Sequence, residues 1–271
     1  MNDSSKATLQ APASAASPKT NLAETPDSEV LRLLNQRGSV RDYLPDPVPE
    51  AMVEAIIAAG QRVPTSSNVQ AYSIIVVRTP ETKARLAELA GNQQHVIDCP
   101  VFFALCADQT RAEYAAHLHG TEFIGHTLEK GLVATIDAAL VGMGMSLAAD
   151  SLGLGTVMIG AMRNKPLEVA RLLGLPPRVF VVFGLCLGRA RNPPLPKPRQ
   201  PAAVVVHQET YGSTGMEAAL EDYDRELAAY YTGQGRPTPE RSWSKTTADK
   251  YAQAVRMTLR QELAQLGFPL E

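Results

Sequence analysis

The longest helical pattern in the chain runs from residue 121 to residue 152 and is mostly apolar on every side. A helix without a polar face must be covered all round, so this segment predicts a central buried helix with other elements wrapped over it. Its most apolar stretch, Gly131 to Gly155, is interrupted by Asp137 and Asp150. Two acids there fit a protein core better than a membrane span. The short strands elsewhere offer little cover for such a helix, which implies a second copy of the chain packed against it.

The flanking pattern is mixed. YSIIVVR, VFFALCA, GTVMIGA and VFVVFGLCLG are β-branched or continuously apolar and predict strands, the last of them central and buried. DSEVLRLLNQRGS opens on a capping signal and stops at Gly38. PEAMVEAIIAAGQ, PETKARLAELAG and PLEVARLLG read as further helices, as do residues 216–231 and 244–265. PKPRQPAAVVVH predicts a proline-stiffened crossing that ends in an edge-like strand. The elements do not alternate as βαβ units, so the expected class is α+β rather than a doubly wound sheet.

With 271 residues and a net charge of −2, the chain is long enough for a sizeable core and has no global basic field for nucleic acid. Cys99, Cys106 and Cys186 form no CxxC and no metal-spaced cluster, and Cys106 and Cys186 lie inside apolar runs. They read as free thiols of a reducing cytosol. Residues 1–26, rich in Ala, Ser, Pro and Thr, lack a bulky apolar segment and read as a disordered tail without signal-peptide features. His117 and His119 fall in a loop-like region without zinc spacing. GMGMSLA lacks the third glycine of a dinucleotide fingerprint and lies inside the long helix. Neither a P-loop, a GxSxG elbow nor an HExxH motif occurs.

Three polar islands remain: QRGSVR at Gln36–Arg41, PTSSNVQ at Pro64–Gln70, and PKPR at Pro196–Arg199. Singly they are a helix stop, a hydroxyl-rich turn and a rigid basic loop. Jointly they offer more. Arg37, Arg41, Lys197 and Arg199 supply the charge-assisted donors a phosphate monoester needs. Thr65, Ser66, Asn68 and Gln70 present hydroxyls and amides to a polar ring edge. MIGA, Met158–Ala161, ends a strand with small residues where backbone can approach a flat ring. Anion site, polar ring edge and tight backbone are the needs of flavin mononucleotide (FMN).

At this point the chain resembles the flavin-dependent nitroreductase superfamily, in particular its larger NADPH-dependent members, the oxygen-insensitive nitroreductases and NADPH–flavin reductases. The resemblance runs from about Asp27 to the C-terminus, leaving residues 1–26 as a tail before a 27–271 domain with a C-terminal helical extension. It is carried by Arg37-Gly38-Ser39-Val40-Arg41, by Pro64-Thr65-Ser66-Ser67-Asn68-Val69-Gln70, by SLGLGTVMIGAMRN, and by FGLCLG followed by PKPRQP. It implies an α+β homodimer, with a mixed sheet surrounded by helices and FMN at the subunit interface. Arg37, Gly38, Ser39 and Arg41 would then face the phosphate and ribityl end, with Lys197 and Arg199 closing on the phosphate. Thr65, Ser66 and Ser67 would lie along the ring, Gln93 and His95 near it, and Ile159, Gly160 and Ala161 against it. Two departures stand out. Arg37-Gly38-Ser39 replaces the frequent His-Arg-Ser, and the positions matching the NADPH-phosphate arginines are Gln234 and Pro239, with Arg236 and Arg241 beside them.

The resemblance implies two-electron, ping-pong hydride transfer from NADPH, with NADH possible, to small-molecule acceptors such as nitroaromatics, quinones or free flavin. Two alternatives stay open: a reductase that supplies reduced flavin to a partner, and a flavin-binding redox sensor.

Overall fold

A computed structural model of the chain describes residues 26–235 and 242–271. The tail expected at residues 1–26 lies, except for Pro26, outside the described residues. The chain opens with α1 (Glu29–Gln36), capped by Ser28, whose hydroxyl accepts from the Leu31 N–H, and α2 (Glu50–Gln61) follows. Then come β1 (Tyr72–Val77), α3 (Pro80–Leu89), α4 (Gln94–Asp98), β2 (Val101–Asp108) and α5 (Thr110–Leu118). The long helix is α6 (Leu128–Ser151), followed by β3 (Gly155–Ile159), α7 (Pro166–Leu173) and β4 (Val179–Gly188). The C-terminal part holds α8 (Ala202–Val205), α9 (Met216–Gly233), α10 (Trp243–Tyr251) and α11 (Leu259–Gln265).

The four strands form one sheet in the order β1-β2-β4-β3, antiparallel throughout. A sheet between helical layers is the α+β arrangement expected from the element order; the sheet expected to be mixed is antiparallel across its four strands, and the parallel pairing among the described residues is the isolated Ser39–Thr156 bridge. Every residue of β2 and β4 is buried, which is why their sequences are continuously apolar rather than alternating. On one face Phe103 and Leu105 pack with Val53 and Ile56 of α2 and with Val141 and Met145 of α6. On the other, Phe102 and Ala104 pack with Leu86 of α3 and Val169 of α7. All three cysteines are buried and free. The chain closes on itself at the start of α6, where Leu128 N donates to Glu271 O at 2.8 Å.

Five further expectations need correction. The long helix starts at Leu128, not residue 121: Thr127 caps it, and residues 121–127 form an irregular strap. It is buried on one face only within the chain, with Ala134, Ala138, Val141, Met145 and Ala149 inside but Leu128, Leu132, Ile136 and Leu140 exposed. The 244–265 helix is two helices, α10 and α11. The break holds Arg256 in a left-handed conformation (φ 52°) and lets its Nε reach Asn164 Oδ1 at 2.9 Å. The edge-like strand after PKPRQP is the single turn α8, which follows Pro201 and leaves Val205 and Val206 exposed. Finally, His117 lies in α5, not in a loop, with His119 at its C-cap. No metal-ligating cluster occurs among the described residues.

Candidate active site

Two acids of α6 organise the site. Asp137 is 0% exposed, and its two carboxylate oxygens accept the Ser66 N–H and the Ala71 N–H, each at 3.0 Å. The segment between these anchors is a tight turn in which Ser67 (φ 48°), Asn68 (φ 57°) and Gln70 (φ 54°) all occupy the left-handed region. Such backbone persists only where its surroundings over-determine it. The second restraint is Arg111, whose guanidinium donates to Gln70 O at 2.9 Å and to Tyr72 O. The result is a rigid turn whose Ser66, Ser67, Asn68 and Gln70 remain exposed to solvent, with Thr65 half-buried.

Near the other end of α6, Asp150 accepts Arg37 Nε at 3.1 Å, and Arg37 Nη2 donates to Ser146 Oγ at 3.0 Å. Ser146 Oγ in turn lies 2.6 Å from Thr156 Oγ1. Burial pushes the Asp150 carboxyl above its ordinary range, an effect Arg37 opposes without cancelling. The chain then runs beside β3, with a bridge between Ser39 and Thr156 and Val40 N donating to Thr156 O at 3.0 Å. It continues along the end of β4, where Leu44 N donates to Arg189 O at 2.9 Å.

Gly38 explains how the third island arrives. A Cβ there would lie 2.5 Å from Pro194 Cβ, so glycine is what lets the 193–199 crossing pack on the QRGSVR segment. Tyrosines of α9 hold that crossing: Tyr230 Oη donates to Leu195 O at 3.0 Å and Tyr223 Oη to Pro198 O at 3.1 Å. Lys197 Nζ sits 5.1 Å from the centre of the Tyr231 ring. Arg199 donates to Lys197 O and Pro198 O, and it forms no ion pair among the described residues.

His95 joins this neighbourhood. Burial, and secondarily the positive charge of Arg41, hold its imidazole below the usual histidine pKa, and its buried Nε2 has no hydrogen-bond partner among the described residues. Gln93 spends its side-chain amide on Ala90 O at 2.9 Å. At the end of β3, Met158 is exposed between buried Val157 and Ile159. At Gly160 a Cβ would meet only Arg163, at 3.4 Å or more. Among the described residues, these contacts do not demand glycine there.

The first island therefore meets β3 at Thr156 and the 193–199 crossing at Pro194, and Arg41 is near enough to His95 to act on its charge. The hydroxyl-rich turn does not join them within the chain. Its anchor Asp137 and the anchor of QRGSVR, Asp150, lie on the same helix, ~20 Å apart at 1.5 Å per residue. Arg236 and Arg241 lie outside the described residues. The sequence reading missed Asp137, Asp150 and Arg111 as organisers; an acid inside an otherwise apolar helix was the available signal.

The QRGSVR segment, the 193–199 crossing and β3 thus lie together in an antiparallel α+β subunit. The chain belongs to the nitroreductase family: residues 34–189 match that family, and residues 197–271 match its C-terminal domain. It is 36% identical over 247 residues to an FMN reductase [NAD(P)H] of Bacillus subtilis, covering 90% of this chain and 99% of that one. It is 39% identical over 218 residues to an oxygen-insensitive NADPH nitroreductase of Salmonella typhimurium, covering 80% and 88%. Among solved structures, B. megaterium NfrA2 superposes with a TM-score of 0.87 at 37% identity, covering 90% of this chain and 100% of that chain.

Proposed function

We propose that this protein is an FMN-dependent NAD(P)H oxidoreductase that reduces nitroaromatics, quinones or free flavin, working as a homodimer with FMN held between subunits. The observation that carries this reading is the division of the site along α6. A ring on the Ser66–Gln70 turn and a phosphate beside Arg41 would be farther apart than a ribityl chain reaches, given the ~20 Å between their anchors. A second copy resolves this. Its anion site becomes available to the turn, and its surface covers the exposed Leu128, Leu132, Ile136 and Leu140.

The residues present fit FMN. Arg41, Lys197 and Arg199 would hold the phosphate with Ser39 beside them, and the partnerless His95 Nε2 offers a neutral hydrogen-bonding atom. Ser66, Ser67, Asn68 and Gln70 would address the ring's polar edge. Gly160 leaves room for close approach, where backbone N–H groups can stabilise developing negative charge. Arg37, engaged by Asp150 and Ser146, would fix the segment rather than carry most of the phosphate charge.

When bound, FMN supplies the capacity to take a hydride and pass on an electron pair. The chain positions nucleotide and acceptor in turn over one surface, and no acid–base side chain is needed there. Reduction of a nitro group to nitroso consumes two electrons and two protons and releases water; NAD(P)H supplies the hydride and solvent the second proton. NADPH is the expected reductant, with Arg236 and Arg241 as candidate ligands of its extra phosphate.

The test is the visible spectrum of the purified protein together with its sedimentation. A yellow dimer that oxidises NADPH with a quinone is expected. A colourless protein that FMN does not reconstitute would remove the proposal. The relatives' names divide between flavin and nitro-compound reduction; kcat/KM for free FMN against a nitroaromatic decides which acceptor this chain prefers, or whether it serves a partner with reduced flavin.

A further inference from the structure

Lys83 of α3 is buried, with 7% of its surface exposed. A lysine is seldom taken out of water without a partner for its charge. Lys83 forms no ion pair among the described residues. Its ammonium instead donates to Ile97 O at 3.0 Å and to Cys99 O at 2.5 Å. Both carbonyls belong to the C-terminal end of α4, where Cys99 is the C-cap. The negative end of a helix is the place where backbone alone favours a cation.

α4 needs such support. It has five residues, and its N-cap residue Gln93 makes no side-chain capping bond. A helix that short does not hold itself together in water. Fully buried Val96 fixes its inner side. Lys83 fixes its end, and the hold reaches His95 through one residue: Cys99 O accepts from Lys83, and Cys99 N donates to His95 O at 3.2 Å. The Cys99 thiol closes the same turn on Val96 O at 3.4 Å. Lysine, helix end and His95 are thus joined by two hydrogen bonds in series. At the far end of that series the His95 imidazole lies within the field of Arg41, with Nε2 unpaired among the described residues.

We infer that Lys83 is a positioning residue for the anion end of the flavin site: by clamping the last carbonyls of α4 it fixes the His95 imidazole beside Arg41. It acts through His95 and not by contact, since its ammonium is engaged by two carbonyls. An apolar side chain in its place would leave both carbonyls unpaired, whereas arginine keeps the charge and the donors. The effect on FMN rests on the flavin reading above; the placement of His95 does not.

Two measurements test this, one of them without flavin. In the flavin-free protein the His95 Cε1–Hε1 NMR signal, identified among the five histidines by its loss in His95→Ala, should shift in Lys83→Met and return toward the parent position in Lys83→Arg. An unmoved signal would overturn the clamp. In fluorescence titrations with FMN, Lys83→Met should weaken binding about five- to ten-fold, and Lys83→Arg should restore it. In a His95→Ala background the same Lys83→Met substitution should change FMN affinity less than about two-fold, because the group it positions is gone. Equal losses in the two backgrounds would show that Lys83 supports the fold at large and does not act through His95. Where Lys83→Met does not fold, Lys83→Gln, an uncharged and shorter donor, replaces it in both measurements with the same expectations. A parent protein that binds no FMN would remove the flavin reading, while the NMR comparison would still decide whether Lys83 places His95.

Discussion

The two ends of the functional half of α6 are held by the same side chain in opposite ways. Asp137 is sealed from solvent and balanced by two backbone N–H donors, so it fixes a turn without any counter-charge. Asp150 is half-buried and balanced by one arginine, and burial still pushes its carboxyl upward. The first arrangement imposes a backbone conformation. The second secures an attachment that water can partly replace. The turn that must present hydroxyls in a fixed array hangs on the first, and the segment whose own arginine does the fastening hangs on the second.

The contrast is sharpest in stability. Asp137→Ala leaves the buried Ala71 N–H unpaired and the left-handed turn without one of its two restraints. Loss of charged hydrogen bonds of this kind costs about 2–4 kcal/mol, or roughly 5–10 °C in melting temperature for a chain of this size. Asp150→Ala should cost less than half as much, because the freed Arg37 can reach solvent. Thermal melts of the two variants check this. A larger shift for Asp150→Ala would invert the comparison.

Flavin retention separates the arginines next. Arg41→Ala and Arg199→Ala should each weaken FMN binding about ten-fold or more, as expected for loss of a charge-assisted phosphate contact worth about 1.5–3 kcal/mol. Arg37→Ala should lower the melting temperature more than it lowers flavin affinity, since its guanidinium is committed to Asp150 and Ser146. Fluorescence titration with FMN, beside melts of the flavin-free proteins, reads both. If Arg37→Ala loses flavin as strongly as Arg41→Ala while melting like the parent, Arg37 is a phosphate ligand and its ion pair is incidental.

Much of this was legible in the sequence, and the limits are instructive. β2 and β4 are apolar runs because both sheet faces are covered, and the polar islands stood out between them. The separation of the islands was not legible. Asp137 shows in sequence only as an acid in an apolar helix; its role depends on N–H groups sixty-six residues away and more. AAVVV reads as strand by side-chain type, but the prolines before it deliver a one-turn helix without a strand partner. Residues 244–265 read as one helix because nothing local announces that Arg256 turns left-handed toward Asn164.

The smallest expected effect concerns acid pH, and it tests the same distinction through Asp108, which like Asp137 is held by hydrogen bonds. Burial alone would raise the Asp108 carboxyl. Bonds from Ser73 and from the Thr110 hydroxyl and N–H, with the charge of Arg111, outweigh it and hold the group below the ordinary aspartate value. The native state then binds fewer protons there than the unfolded chain, so stability contributed above the ordinary pKa is lost as pH falls through the lowered one. Asp150 has the opposite sign. Its raised pKa means the native state binds protons more readily, so its contribution is complete below the ordinary value and is lost as pH rises through the raised one. The Asp108 effect falls below the ordinary aspartate value and the Asp150 effect above it, with opposite signs. Compared with the parent, Asp108→Asn should therefore melt with a shallower decline toward acid, and Asp150→Asn with a steeper one. Slopes of melting temperature against pH, taken in one buffer series at constant salt, read the difference directly. If both substitutions bend the curve the same way, the contrast between an acid held low by its partners and one held high by burial does not describe this protein.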